Sequence, residues 1–128
     1  MTLLNKLASP FQAGDKGKVI GVVEPISIRR QDGSEEEGVL AKVDTGEDYS
    51  QIDKKLAQEL GLYSAELVVD RITAEIDGRE RLVEQIEVSF TIDGDWLNSR
   101  WLVLDLADEK QLVVLGKEDL RGYLVRIP

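Results

Sequence analysis

Cysteine and histidine are both missing from the 128 residues. Their absence removes thiolate nucleophiles, disulfides, Ser-His-Asp triads and the usual zinc ligand sets, leaving carboxylates, lysine, tyrosine and hydroxyls for any catalysis. A chain without cysteine fits a reducing compartment. Residues 1–18 also hold no unbroken apolar stretch of the kind a signal peptide or membrane helix needs, so a cytoplasmic location is expected. Positive charge is scarce too: 16 Lys plus Arg face 25 Asp plus Glu, for a net charge of −9. Such acidity repels phosphate backbones and anionic lipid, so neither nucleic acid nor a membrane is expected as a partner. Aromatic residues amount to only 5%. Among them Trp101 reads as core, and Trp96, next to a turn, fits a packing role better than a partner contact.

What is present supports one folded unit. Hydrophobic residues make up 42% of the chain, enough to offset the ordering entropy of a single domain of this length. Residues 1–17 mix Gly, Pro, Asn and Ser with isolated apolar positions and read as a flexible arm ahead of a single domain over 18–128. From Lys18 the texture turns β-branched, with Val19, Ile20, Val22, Val23, Ile26 and Ile28 forming two strands or one bent strand around Gly21 and Pro25. Asp32-Gly33-Ser34 and the run Glu35-Glu36-Glu37 read as a turn and a solvated loop, and Val39 to Val43 as a strand running into Asp44. One helix is expected from Asp53 to Leu60, with Asp53 as N-cap and Gly61 as stop, and Ile52, Leu56, Ala57 and Leu60 on one side.

Beyond the helix the period is two. Ile72, Ala74 and Ile76 alternate up to Asp77-Gly78, and Ile86, Val88, Phe90 and Ile92 up to Asp93-Gly94, each Asp-Gly marking a hairpin turn. Trp101 to Leu106, Leu112 to Leu115 and Tyr123 to Ile127 complete the strands, and Lys117 to Leu120 has room for one helical turn. Many short strands with close turn signals make an all-β fold, a barrel or a sandwich.

The chemistry gathers at Val43-Asp44-Thr45-Gly46. An acid at the end of an apolar strand, followed by a small hydroxyl residue and a glycine, is a carboxylate whose orientation a tight turn can fix for acid–base work. Alone, Asp-Thr-Gly is a common β-turn. In its setting it is more specific. Asp44-Thr45-Gly46-Glu47-Asp48-Tyr49-Ser50-Gln51-Ile52, with Leu56-Ala57 and Leu60-Gly61-Leu62 after it, resembles the active-site strand and loop of retropepsin-like aspartic proteases. Val113-Val114-Leu115-Gly116, followed by Lys117 to Leu120, is similar to the apolar segment and short helix beneath that site. The stretches Ala41-Lys42-Val43 and Leu115 to Val125 resemble more narrowly a bacterial branch known as ATP-dependent zinc proteases.

The resemblance implies a closed β-barrel of short strands with one or two short helices. It implies Asp44 as the catalytic carboxylate, Thr45 holding the loop by hydrogen bonds, and Gly46 bringing backbone close to substrate. Asp48 and Glu47 would face the substrate, Gly116 would let the buried strand pass under the loop, and Lys117 would pair with Asp48. One Asp-Thr-Gly is half a site, so catalysis on a peptide or protein substrate requires a homodimer, with a water between two Asp44 carboxylates of which one is protonated. The hairpin at Asp77-Gly78 is the expected cover, ahead of the one at Asp93-Gly94.

Glu47 departs from the family, which usually has alanine there, and a further acid beside Asp44 raises carboxylate pKa values. The alternative is therefore a catalytically inactive protease-like module that binds peptide or protein, and a third reading is an acidic surface for a basic partner. Neither metal nor other cofactor is expected. Without His or Cys, carboxylates would suit Mg²⁺ or Ca²⁺ rather than Zn²⁺, and no glycine-rich phosphate loop is present.

Overall fold

The computed structural model describes residues 18–125. The expected arm over 1–17 and the end of the last strand at Ile127 lie outside the described residues. In chain order the elements are β1 (Lys18–Ile20), β2 (Val23–Arg29), β3 (Glu35–Val43), β4 (Gln51–Asp53) and helix α1 (Lys54–Glu59). After a 3-10 turn at Ala65–Leu67 come β5 (Val68–Ile76), β6 (Arg79–Ile92), β7 (Asp95–Leu104), β8 (Val113–Leu115), helix α2 (Lys117–Leu120) and β9 (Tyr123–Val125).

Local chemistry accounts for most of the boundaries. Gly21 separates β1 from β2, resolving the bent-or-double question in favour of two strands. Asp53 caps α1 by accepting from the Leu56 amide at 3.2 Å. At the other end, Gly61 takes φ +75. Its amide donates to Gln58 O at 3.0 Å and that of Leu62 to Ala57 O at 2.9 Å, the paired bonds of a Schellman stop. Asp77-Gly78 and Asp93-Gly94 have positive φ at both residues, the two-residue turn whose twist matches that of the hairpin strands.

Two stretches differ from the sequence reading. The acidic run is not a loop: β3 opens at Glu35, with Glu35 opposite Arg29 and Glu36 opposite Ile28. There the Arg30 guanidinium pairs with Glu36, so a cross-strand ion pair and ladder bonds outweigh the low strand preference of glutamate. Likewise β7 starts at Asp95 rather than Trp101, because Trp96 to Arg100 pair in register with Thr91 to Glu87 across the turn, and it ends at Leu104, short of Leu106.

Six strands close a barrel in the order β2-β3-β8-β4-β7-β6, sealed by the β2–β6 pairing, while β5 extends the sheet beyond β6. β3 and β8 run parallel, Val43 opposite Leu115, and β4 lies antiparallel to β8. The barrel interior holds Ile28, Ile52, Ile86, Phe90, Trp101, Val113 and Leu115, with the Phe90 and Trp101 ring centroids 4.8 Å apart. A second core of Ala74, Ile76, Val83, Leu102, Leu104, Leu106 and Val114 lies under the β5–β6 hairpin. Alternate residues of β7 and β8 thus serve both cores, which is why Trp101 to Leu104 and Val113 to Leu115 read as unbroken apolar runs.

Candidate functional site

β3 delivers Asp44 at the point where the barrel wall turns outward. The Asp44 amide donates to Leu115 O at 2.9 Å, continuing the β3–β8 ladder for one more bond, and the Glu47 amide closes a turn on Asp44 O at 3.2 Å. The Gly46 amide then donates to Asp44 Oδ1 at 2.9 Å. A Cβ on Gly46 would lie 3.2 Å from that same oxygen, so the glycine lets the backbone reach the carboxylate it orients. The side chain of Asp44 keeps 31% of its surface open, with Lys42 Nζ 3.6 Å from Oδ2. Lys42 lies in β3 and Asp44 two residues on, just past the strand's end where the ladder still continues, so their side chains share a face. That spacing was visible in the sequence, yet Lys42 entered the sequence reading only as part of a motif.

The rest of the loop stacks acids around this carboxylate. Glu47 is half-buried, and Gln51 Nε2 donates to its Oε1 at 3.0 Å. Partial burial, followed by the negative charges of Asp44 and Asp77, pushes the Glu47 carboxyl above the usual carboxylate range, against the pull of the Gln51 bond. Asp77 stands at the tip of the β5–β6 hairpin, near enough for its charge to act on Glu47. Ala74 and Ile76 of the same hairpin belong to the core against which Tyr49 of the loop packs. Asp48 is exposed and its Oδ1 lies 3.3 Å from Lys117 Nζ, an ion pair between well-solvated partners that contributes little to stability. Thr45 is exposed, and its hydroxyl makes no hydrogen bond among the described residues.

Beneath the loop, Gly116 is buried in a space no side chain fits: a Cβ there would lie 2.6 Å from both C and O of Tyr49 and 2.9 Å from Glu47 O. The first amides of α2 hold the loop from below, Lys117 donating to Glu47 O at 2.8 Å and Glu118 to Asp48 O at 3.0 Å. A buried polar cluster anchors α2 in turn. Asp119 Oδ2 accepts from Ser50 Oγ at 2.5 Å, Ser99 Oγ at 3.0 Å and Trp101 Nε1 at 3.0 Å. The Gly116 amide donates to Ser50 Oγ at 3.0 Å. Burial pushes the Asp119 carboxyl above its ordinary range, and the three bonds pull it back in part. Sequence reasoning missed this cluster because its members stand far apart in the chain and no local pattern joins them.

The arrangement offers an oriented, half-open carboxylate under a hairpin, with a lysine and a second acid beside it. Among the described residues, no group of three or more Asp or Glu is placed to hold a metal ion. No helix among the described residues is long and apolar enough to cross a membrane.

No protein-family model matches the sequence, and no curated protein matches it. Solved structures do. The retroviral protease-like domain of Ddi1 from Leishmania major aligns with TM-score 0.51 and 22% identity, over 77% of this chain and 74% of that one. The simian foamy virus protease aligns with TM-score 0.52 and 12% identity, over 77% and 90% of the two chains. A Legionella pneumophila protein of unknown function aligns with TM-score 0.50 and 11% identity, over 87% and 94%. The chain therefore has the retropepsin-like fold that the resemblance implied, a mainly β barrel with two short helices.

Proposed function

We propose that this chain is one half of an aspartic endopeptidase, completed when two copies bring their Asp44 turns together around a water. The observation that carries the reading is the Asp44 carboxylate itself, held by the Gly46 amide at the mouth of the barrel and left partly open. In the dimer, two carboxylates about 3 Å apart share one proton. The ionised one takes a proton from the water as its oxygen attacks the peptide carbonyl carbon, and the protonated one gives its proton to the carbonyl oxygen. Collapse of the tetrahedral intermediate re-forms the carbonyl and breaks the C–N bond, the amine leaving with a proton returned from the dyad.

The β5–β6 hairpin is the cover for an extended peptide in this scheme, and Asp48 and Glu47 face the peptide main chain. The like charges of Glu47 and Asp77 oppose closure when both are ionised. Because the Glu47 carboxyl is raised, acid neutralises it above the usual carboxylate range, and closure and cleavage are favoured as pH falls through its titration. Lys42 is the counter-charge that holds an ionised Asp44 in place between turnovers. The exposed Thr45 hydroxyl is left for contact with the second copy.

Glu47 also supports a second reading, a peptide- or protein-binding module that has kept the barrel without hydrolysis. Sedimentation across a wide concentration range at about pH 5 and pH 7, followed by a peptide-library digest of the wild type and Asp44→Asn, separates the two. A dimer that cleaves peptides, with cleavage lost in Asp44→Asn, is expected. A strict monomer that cleaves nothing at either pH overturns the peptidase and leaves the binding module.

A further inference from the structure

A cleft of about 430 Å³ opens on the barrel wall where β6, β7 and α2 meet, bordered by Gln85, Ser99, Arg100, Glu118, Asp119 and Arg121. Tyr49, from the loop that follows Asp44, lines it as well, and the peptidase scheme uses none of these side chains on substrate. Two of its lining side chains have hydrogen-bonding capacity left over. Gln85 is 5% exposed, and its side-chain amide makes no hydrogen bond among the described residues. Asp119 is 9% exposed, and all three of its bonds converge on Oδ2, leaving Oδ1 without a donor among the described residues. Buried side-chain amides are almost always bonded, so the Gln85 amide calls for a partner. An unbonded amide and a carboxylate oxygen with no donor among the described residues, both lining one cleft, point to a ligand that bonds them.

The rim states what that ligand carries. Arg100 and Arg121 supply positive charge, each tied among the described residues only to an exposed acid, Asp70 at 3.9 Å and Glu118 at 3.3 Å. Glu118 and Asp119 supply negative charge on the α2 side. A plain anion meets Asp119, Glu118 and a molecule of net charge −9; a plain cation meets two guanidinium groups. A molecule with one charge of each sign gains at both ends. A cleft of about 430 Å³ is of the size that holds a small molecule.

We propose that this cleft binds a small zwitterion of the amino acid or dipeptide class. The ammonium donates to Asp119 Oδ1, the carboxylate is held by Arg100 and Arg121, and the Gln85 amide bonds the backbone between them. This assignment stands whether or not the Asp44 turn hydrolyses peptides.

Trp101 supplies the assay, because its indole N–H already donates to Asp119. The two indole N–H resonances of the full chain are followed by NMR while glycylglycine, acetate or methylammonium is added at matched ionic strength. Glycylglycine is expected to move the Trp101 signal saturably, with each single-charge probe about tenfold weaker. Arg100→Ala, a surface change that leaves the core intact, and Gln85→Leu are each expected to weaken glycylglycine by about tenfold. No saturable shift with glycylglycine, or a response to acetate or methylammonium equal to it, overturns the proposal. So does unchanged affinity in both variants.

Discussion

Gly116→Ala is the sharpest test of how the Asp44 loop is held. The added Cβ would lie 2.6 Å from the C and O of Tyr49 and 2.9 Å from Glu47 O, whereas comfortable carbon contacts are about 3.5–4.0 Å. All three contacts are backbone, so no side chain can swing aside and the loop must retreat by about 1 Å. That retreat strains the bonds from Lys117 N to Glu47 O at 2.8 Å, Glu118 N to Asp48 O at 3.0 Å and Gly116 N to Ser50 Oγ at 3.0 Å. Over-packing costs about 1–3 kcal/mol, and each weakened bond adds up to about 1 kcal/mol. Against this, replacing glycine stiffens the unfolded chain and returns about 0.4–1 kcal/mol, since Gly116 has φ −100, which alanine accepts. The net loss is about 2–4 kcal/mol, or roughly 10 °C in Tm for a domain of this size. Urea titration reads it as a fall in midpoint at unchanged slope. Gly21→Ala is the control: its nearest atom is Val23 O at 3.4 Å, and its effect should stay within about 0.5 kcal/mol. If Gly116→Ala unfolds no more readily than Gly21→Ala, the close approach beneath the loop is not what the structure says it is.

Two further substitutions probe the supports of the site. Asp53 bonds the Leu56 amide through Oδ2 and the buried Leu106 amide, 2.9 Å away, through Oδ1. Asp53→Ala is therefore expected to cost about 2–4 kcal/mol, a lost cap plus an orphaned amide, measured by urea midpoint; a loss below about 1 kcal/mol would mean the second bond is not formed. For Asp119 the raised carboxyl sets the sign of a pH effect. Stability from the protonated form is complete below the unfolded-state value and is lost as pH rises through the folded-state value. Asp119→Asn removes that titration, so its stability relative to the wild type should improve as pH rises from about 3 to about 7. A difference constant with pH would contradict burial as the dominant influence.

The parts of the fold that were legible in the sequence are those whose cause is local. Asp53 and Gly61 mark the ends of α1 by bonds within one turn, and the two Asp-Gly turns fix both hairpins by backbone sign alone. Glu35 to Glu37 and Asp95 to Arg100 were misplaced because their strand state comes from the partner strand, β2 in one case and β6 in the other, and polar residues give no period of their own. At the site, Asp44 and Gly46 were legible because the bond between them spans two residues. The Asp119 cluster was not, since Ser50 and Asp119 meet across a sequence separation of 69.

The parallel pairing of β3 with β8 also bears on when the site comes into being. Asp44 leaves β3 early in the chain, but the bond that seats its amide comes from Leu115, and the props under its loop come from Lys117 and Glu118. Such long-range pairing is slow to form, because the intervening chain must be ordered before the contact gives anything back. A chain cut after β7 would keep the Asp-Thr-Gly and both hairpins yet lack every partner that orients the carboxylate from below. The seated Asp44 turn is thus among the last features to assemble, and a nascent or truncated chain carries the acid without the supports that hold its loop.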